Sequence, residues 1–233
     1  MNRCLEPEWL DELPAEDPQA TGSRRDLRRL NWWMGHVGIL ARSLRLLKQE
    51  PDPIQIIEVG AGDGDFLLRV AHALGRTWSG TRAVLMDRQK VVSPTILASF
   101  RNLGWHAEVA TADVFDWCSE PASGKSMVVA NLFLHHFDSE QLKKLFDGIA
   151  RRSSAFIALE PRRSALPLLF SNLVWLIGCN SVTRHDAPTS VRAGFRDREL
   201  SELWPNDNHW LVRECAAGAF SHLFTAQAAN RAR

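Results

Sequence analysis

The chain is poor in the residues that build a metal centre. Its four cysteines, Cys4, Cys118, Cys179 and Cys215, are scattered and form no CxxC pair. That argues against zinc and iron–sulfur sites, and no metal is expected. An excess of one charge is also missing. Lysine and arginine total 28 against 27 acids, a net charge of +1, so there is no global basic field for nucleic acid. The longest apolar run, Leu166 to Gly178, contains Ser171 and Asn172. It falls short of the roughly 20 residues a membrane span needs. The opening stretch, MNRCLEPEWLDELPAED, is acidic and has no apolar core. It does not read as a secretory signal, and a reducing, cytoplasmic setting is the default. No internal repeat and no low-complexity tract occur. Tyrosine is absent while tryptophan appears nine times; core packing and the aromatic walls of a binding pocket both account for this.

What is present fits one α/β domain with room for a helical cap. The 233 residues are 45% hydrophobic and 24% charged, a globular balance. Charge is unevenly spread. The first 20 residues hold six acids and one base, whereas residues 24–48 hold seven bases and one acid. The basic stretch reads as a solvated helix face rather than a nucleic-acid site. Residues 1–22, with Pro7, Pro14 and Pro18, read as an extended or poorly ordered arm, after which Ser23 caps a helix. Leu27, Leu30, Met34, Val37, Leu40, Leu44 and Leu47 recur every three or four residues, an amphipathic stripe. Gly35 and Gly38 mark a kink or break in it, and Pro51 and Pro53 end it. The division expected is 1–50 for arm and cap and 51–233 for the main domain, with 164–208 as a substrate-side lid.

Strand and helix patterns alternate through the middle. Residues 54–59, 82–87, 105–110, 126–133 and 155–160 read as strands. Between them lie Phe66–Leu74, a helix opened by Ser93-Pro94, and a helix behind a capping box of Asp138 and Gln141. This alternation implies a parallel sheet covered on both faces. Towards the end, an apolar helix (164–178), a polar loop (179–196) and a helix (197–204) lead into runs at 209–215 and 218–226. Those two runs pair as an antiparallel hairpin.

The strongest signal is Glu58-Val59-Gly60-Ala61-Gly62-Asp63-Gly64-Asp65-Phe66. A buried strand enters a loop with three alternate glycines and then a helix. Glycine lets the loop turn sharply and admits a ligand close to the backbone; the helix start offers free N–H groups. The dinucleotide pattern G-x-G-x-x-G fails, because Asp65 stands where its third glycine belongs. No Gly-Lys-Ser/Thr follows, so a phosphate loop fails too. Acids at Glu58 and Asp63 suit a cationic ligand.

This stretch resembles motif I of the class I S-adenosylmethionine-dependent methyltransferases. The likeness runs through residues 54–160, with a tail to about 226. It implies an α/β, Rossmann-like seven-stranded fold, mostly parallel with an antiparallel terminal hairpin, plus an N-terminal helical cap. It also implies S-adenosylmethionine as cofactor, with S-adenosylhomocysteine as product. The residues implied for cofactor binding are Glu58, Gly60, Ala61, Gly62, Asp87, Arg88, Asp113, Val114, Asn131 and Leu132. Among them the loop takes the methionine portion, Asp87 the ribose hydroxyls, and Asp113 with Val114 the adenine. Taken singly, Asp87 also reads as a surface acid and Asp113 as a helix N-cap.

The acceptor is less constrained. Asn131-Leu132-Phe133-Leu134-His135-His136-Phe137 closes the fourth strand at the mouth of the implied site. A hydroxyl acceptor must lose a proton, which suits histidine. His136 is the preferred base and His135 the alternative; in an extended segment they point to opposite sides, so at most one faces the acceptor. Trp32, His185 beside Asp186, and Arg192 are candidate substrate contacts. The DNA-base methyltransferase run Asn/Asp-Pro-Pro-Tyr/Phe is absent after Asn131. Apolar covers around Trp32, Trp33, Phe170 and Trp175 suit a hydrophobic small molecule. Arg24–Asn31 and Ser190–Phe195 are similar to bacterial methyltransferases of secondary metabolism, some of which act on phenolic or pyrone hydroxyls of polyketides. The reading is therefore an O-methyltransferase of a hydrophobic or aromatic small molecule. N- or C-methylation and a noncatalytic cofactor-binding module are the alternatives, and both monomer and homodimer remain open.

Overall fold

A computed structural model describes residues 1–47, 55–121, 126–205 and 209–229. Pro51, Pro53 and the boundary at residue 50 lie outside the described residues. The elements in chain order are α1 (Trp9–Glu12), α2 (Pro18–Trp33), α3 (His36–Leu47), β1 (Gln55–Val59), α4 (Asp65–Leu74), β2 (Arg82–Asp87), α5 (Pro94–Asn102), β3 (His106–Thr111), α6 (Val114–Ser119), β4 (Ser126–Asn131), α7 (Ser139–Arg152), β5 (Ser153–Pro161), α8 (Ala165–Ser171), α9 (Ser181–Ala193), β6 (Trp210–Ala217) and β7 (Ser221–Ala228). Short 3-10 turns follow β4, at Leu134–His136, and α8, at Val174–Ile177.

All seven strands form one sheet in the order β3-β2-β1-β4-β5-β7-β6. The first five are mutually parallel, and β7 runs antiparallel to both β5 and β6. The order reverses between β1 and β4. That reversal opens a crevice at the carboxyl ends of the strands, the usual ligand position in such sheets. Continuous apolar strands explain the two-sided cover. Ile56, Leu85, Val129 and Ile157 pack one face against Leu40, Leu44, Leu67 and Val70 of α3 and α4. Ile57, Val128 and Phe156 pack the other against Leu142, Leu145, Phe146 and Ile149 of α7. The parallel strands are thus buried on both faces.

Four local expectations need correction. Helix α2 begins at Pro18, not Ser23: the Asp17 side chain caps it by accepting from Gln19 N and Ala20 N. Ser23 is buried, and its hydroxyl accepts from Thr183 Oγ1. The break after α2 falls at Gly35, whose φ of +70° suits glycine; Gly38 sits inside α3. Residues 179–196 are mostly helix rather than loop. Asn180 caps α9, and Pro188 sits within it because packing against α1 and α2 outweighs one lost backbone bond. Residues 197–204 are successive turns, not a helix. Asp197 has φ +55°, and the N–H groups of Leu200 and Ser201 donate to the Glu214 carboxylate of β6.

The amino-terminal arm is an ordered strap. Trp9 N and Leu10 N donate to the two oxygens of Asp186 on α9. The Arg3 guanidinium donates to the carbonyls of Ala193, His135 and Phe137 and lies over the Phe195 ring. The sequence reading missed this because the partners are about 130 to 190 residues away, outside any local pattern.

Candidate functional site

The glycine loop forms one side of the crevice. Gly60, Gly62 and Gly64 all have positive φ, the left-handed conformation that Cβ-bearing residues avoid. At Gly60 a Cβ would run into the Phe133 ring, whereas at Gly62 it would meet nothing within 4 Å. The loop is therefore tight against the β4 exit and open at Gly62. Asp87, at the end of β2, holds it there: Oδ2 accepts from Gly62 N at 2.8 Å and Oδ1 from Gln89 N at 2.9 Å. Asp113 is the N-cap of α6, with Oδ1 accepting from Phe115 N at 2.8 Å. Its other oxygen lies 4.0 Å from Arg88 Nη1.

Beneath the loop, Glu58 is fully buried on β1, and its Oε2 has no hydrogen-bond partner. Burial, followed by the charges of Asp63, Asp87 and Asp65, pushes its carboxyl well above the usual range. The acids at this end are only partly neutralised. Arg28 of α2 pairs with Asp63 at 2.5 Å, across a cleft of about 450 Å³ also lined by Arg24, Asp65, Lys90 and Ile96. A larger cavity of about 560 Å³, beside Arg162, Arg196 and His222, touches none of the residues expected to bind cofactor or acceptor.

The β4 exit forms the other side. Leu132 has φ +54°, rare for a branched side chain, and its N–H donates to Leu159 O. Asn131 is held at both ends. His36 Nδ1 donates to its Oδ1 at 2.6 Å, and its Nδ2 donates to Asn31 Oδ1 at 3.2 Å. Ser221 completes the chain by donating to His36 Nε2 at 2.6 Å. Burial pulls His36 down to about 4, against the pull of Asn131 and Glu160, so it is neutral.

The two adjacent histidines do not alternate as an extended segment would place them. The 3-10 turn sets their ring centroids 4.3 Å apart, tilted by 33°. Their environments differ instead. His135 is buried, with Nδ1 donating to Glu160 Oε2 at 2.7 Å and Nε2 to Glu8 Oε1 at 3.2 Å. Burial opposes its charged form, yet the hydrogen bonds and charges of Glu160 and Glu8 outweigh burial and push it up to about 10. Glu8 is desolvated too, but its bond to His135 brings it down to about 2. Glu160 is held below its usual value by the same partner and by the N–H groups of Leu134 and Phe133. His135 is thus a cation with both nitrogens committed. With both nitrogens held by carboxylates, the arrangement favours a structural role for His135. His136 is partly exposed, and its Nδ1 lies 3.1 Å from Asp11 Oδ2, close enough for an ion pair.

Donor atoms of Glu8, His135 and His136 lie within 4.8 Å of one another. The protonated His135 already neutralises this cluster, so a metal ion would first have to displace that proton.

The chain matches no family model. No curated protein matches it either. Solved structures do match. The plantazolicin methyltransferase BpumL, in complex with S-adenosylhomocysteine, superposes with a TM-score of 0.64 at 11% identity, covering 92% of each chain. The magnesium protoporphyrin IX methyltransferase of Synechocystis PCC 6803 gives 0.54 at 14% identity, over 84% of this chain and 83% of that one. The mitomycin 7-O-methyltransferase MmcR gives 0.58 at 16% identity, over 94% of this chain but 60% of that one. This is the class I methyltransferase fold.

Within the methyltransferase fold the predicted residues divide into two sets. Glu58, Gly60, Ala61, Gly62, Asp87, Arg88, Asp113, Val114, Asn131 and Leu132 all lie at the carboxyl ends of β1 to β4. The predicted acceptor contacts do not converge in the same way. Trp32 is 69% exposed at the end of α2. His185 stacks on Trp9 at 4.0 Å and donates to Asp186 at 2.8 Å; adjacent residues face each other here because Asp186 is held by the strap. Arg192 is half-buried, and its carbonyl accepts from Cys4 N. Glu8, Asp11, His36 and Glu160 were missed. Glu160 alone carried a signal, an acid at the end of an otherwise apolar strand.

Proposed function

We propose that the protein transfers a methyl group from S-adenosylmethionine to a hydroxyl of a hydrophobic or aromatic small molecule. The observation that carries this reading is the buried, unpartnered carboxylate oxygen of Glu58 beneath a glycine loop that is open at Gly62. A buried acid without a partner is costly. A cationic ligand beside it removes that cost, and the cofactor bears both a sulfonium and an amine.

Glu58, Gly60, Ala61 and Gly62 take the methionine portion. Asp87, with lone pairs to spare after Gly62 and Gln89, accepts from the ribose hydroxyls, and Arg88 flanks it. The free oxygen of Asp113 and the adjoining Val114 take the adenine; Asn131 and Leu132 form the inner wall. When bound, S-adenosylmethionine supplies an electrophilic methyl group and leaves as S-adenosylhomocysteine. The chain's own task is then to align the acceptor, exclude water and remove a proton. His136 is the base. Asp11, 3.1 Å from Nδ1, would stabilise the imidazolium formed when His136 takes the proton. Helix α9, packed beside the histidine turn, forms a wall of the acceptor pocket and carries His185 and Arg192. The hydroxyl acceptor is supported by similarity to an O-methyltransferase that acts on mitomycin.

Calorimetric titration with S-adenosylhomocysteine, followed by methyl-transfer assays on phenols, amines and β-dicarbonyl compounds, tests both parts. Binding with transfer to phenols is the expected result. No heat with the nucleoside would remove the cofactor assignment; transfer to amines alone would remove the acceptor assignment.

A further inference from the structure

One outer face of the cap exposes far more aromatic surface than solvent contact accounts for. Trp32, Trp33 and Trp175 are 69%, 64% and 53% exposed, and Leu169, Phe170 and Leu176 are exposed beside them in sequence. The two contributing segments meet. Arg29 of α2 donates to Ile177 O at 2.7 Å, which fastens the end of α2 to the 3-10 turn at Val174–Ile177. That turn continues from α8 through bonds from Leu173 N to Phe170 O and from Leu176 N to Leu173 O. Residues 164–178 contain no charged side chain. Contiguous apolar surface of this kind marks an interaction site.

Its rim has one sign. Arg25 and Arg29 share a helical stripe with Trp32 and Trp33. Arg184, exposed at the start of α9, donates to the backbone carbonyl of Cys179, and both it and Arg29 act on the Cys179 thiol. The one acid in residues 24–48, Asp26, is buried and bonded to Asn180 N, Thr183 and Arg29. Two copies joined symmetrically through this face would bring arginine against arginine. An anionic surface meets the rim with complementary charge. Tryptophan favours the boundary between headgroups and acyl chains, and an aromatic face with arginines beside it is the composition of a segment lying in that boundary. No helix among the described residues is long and apolar enough to cross a membrane.

We propose that this face, built from the end of α2, α8 and the turn that follows, docks the protein on an anionic phospholipid bilayer. The contact is peripheral, with Trp32, Trp33 and Trp175 among the headgroups and Arg25, Arg29 and Arg184 on the phosphates. Lipid docking needs no methyl transfer, so it stands or falls separately from the function proposed above.

Flotation of the full chain with phosphatidylcholine vesicles, with and without phosphatidylglycerol, tests it. Binding to the anionic vesicles is expected, with a blue shift of tryptophan emission and weakening at high salt. Replacing Trp32 and Trp33 together by Ser should reduce vesicle affinity more than about tenfold. Arg25→Ala should reduce it about fivefold, the factor equivalent to ~1 kcal/mol per basic residue at such a surface. Should the tryptophan variants lose their folded melting transition, Trp175→Ser and Arg25→Ala carry the test. Absence of binding to anionic vesicles at low salt overturns the proposal. So does equal binding to neutral vesicles, or a dimer that Trp33→Ser converts to monomer without any vesicle binding.

Discussion

The two ends of the crevice are both acid-rich, and they treat their acids in opposite ways. At the β4 exit the buried carboxylates of Glu8 and Glu160 are neutralised from within, by a protonated His135 set between them. At the glycine loop the buried carboxylate of Glu58 faces Asp63, Asp65 and Asp87, and one of its oxygens has no partner. The fold is thus able to close a buried acid with its own cation, and at one place it does not. The difference separates scaffold from proposed ligand site: a closed acid cluster holds the chain together, while the open one is where the proposed cationic cofactor would sit.

The closed end breaks most severely. His135→Ala leaves two buried carboxylates without a counter-charge, a loss on the scale of about 3–5 kcal/mol. A drop in melting temperature of about 10 °C follows for a chain of this size. The pH dependence has a definite sign. Glu8, depressed to about 2 from 4.5, contributes stability that is present above 4.5 and lost as pH falls towards 2. His135, raised from 6.5 to about 10, contributes stability that is complete below 6.5 and lost as pH rises through 10. Together they are worth most between about 4.5 and 6.5. A wild-type melting profile without decline on either side of that window would contradict the closed cluster, as would a variant profile of the same shape.

The neighbouring histidine distinguishes scaffold from chemistry. His136→Ala should lower kcat about 100-fold or more, the range of lost general-base catalysis. Its effect on melting should be smaller than that of His135→Ala, because the side chain is partly exposed and its only ion pair is with the half-exposed Asp11. A large fall in melting temperature with kcat preserved would move His136 to the closed cluster and leave the base elsewhere.

How much of this contrast the sequence carried depends on distance along the chain. Gly60, Gly62, Asp87 and Asp113 were legible because each sits at a strand exit, where spacing between apolar runs fixes its place. Asp138 with Gln141, and Ser93 with Pro94, were legible for the same reason. Glu8 and Asp11 were not. They lie in an acidic, proline-marked arm with no periodicity, and they reach the site only because Asp186 and the carbonyl of Ala193 fasten the arm from far away. His36 looked like one more position near a helix break, and its bonds to Asn131 and Ser221 exist only once α3 has packed on the sheet. Helix α9 was hidden by Pro188, and the turns at 197–204 were mistaken for a helix because Glu214, not the local backbone, takes the N–H groups of Leu200 and Ser201.

At the open end the effects should appear in binding more than in folding. Asp87→Ala should weaken cofactor affinity by about 1.5–3 kcal/mol, the scale of charge-assisted hydrogen bonds. Part of that loss comes through the glycine loop, since Asp87 also accepts from Gly62 N. Unchanged calorimetric affinity would refute the ribose assignment. Glu58→Gln gives the opposite of His135→Ala. A carboxyl whose folded pKa is raised loses stability as pH rises above its unfolded value of 4.5. The amide removes that loss, so the ligand-free protein should melt higher at pH 7 while binding the cofactor about 1–3 kcal/mol more weakly. Wild-type affinity should rise with pH as Glu58 ionises, and that slope should vanish in the variant. A lower melting temperature for Glu58→Gln would show that the acid is already satisfied and that the two ends are alike.

The smallest effect lies at the rim of the closed end. Asp11 is half exposed, so its pairing with His136 is worth no more than an exposed ion pair, under about 1 kcal/mol. Asp11→Asn keeps the size of the side chain but removes the charge. It should lower kcat by no more than about fivefold. Melting temperature and cofactor affinity should not change. A fall in kcat without a loss of stability assigns Asp11 to positioning the base, outside the cluster closed by His135. A loss of stability comparable to His135→Ala would instead join Asp11 and His136 to Glu8 in a single scaffold, and the boundary between the closed end and the reacting groups would have to be drawn further along the crevice.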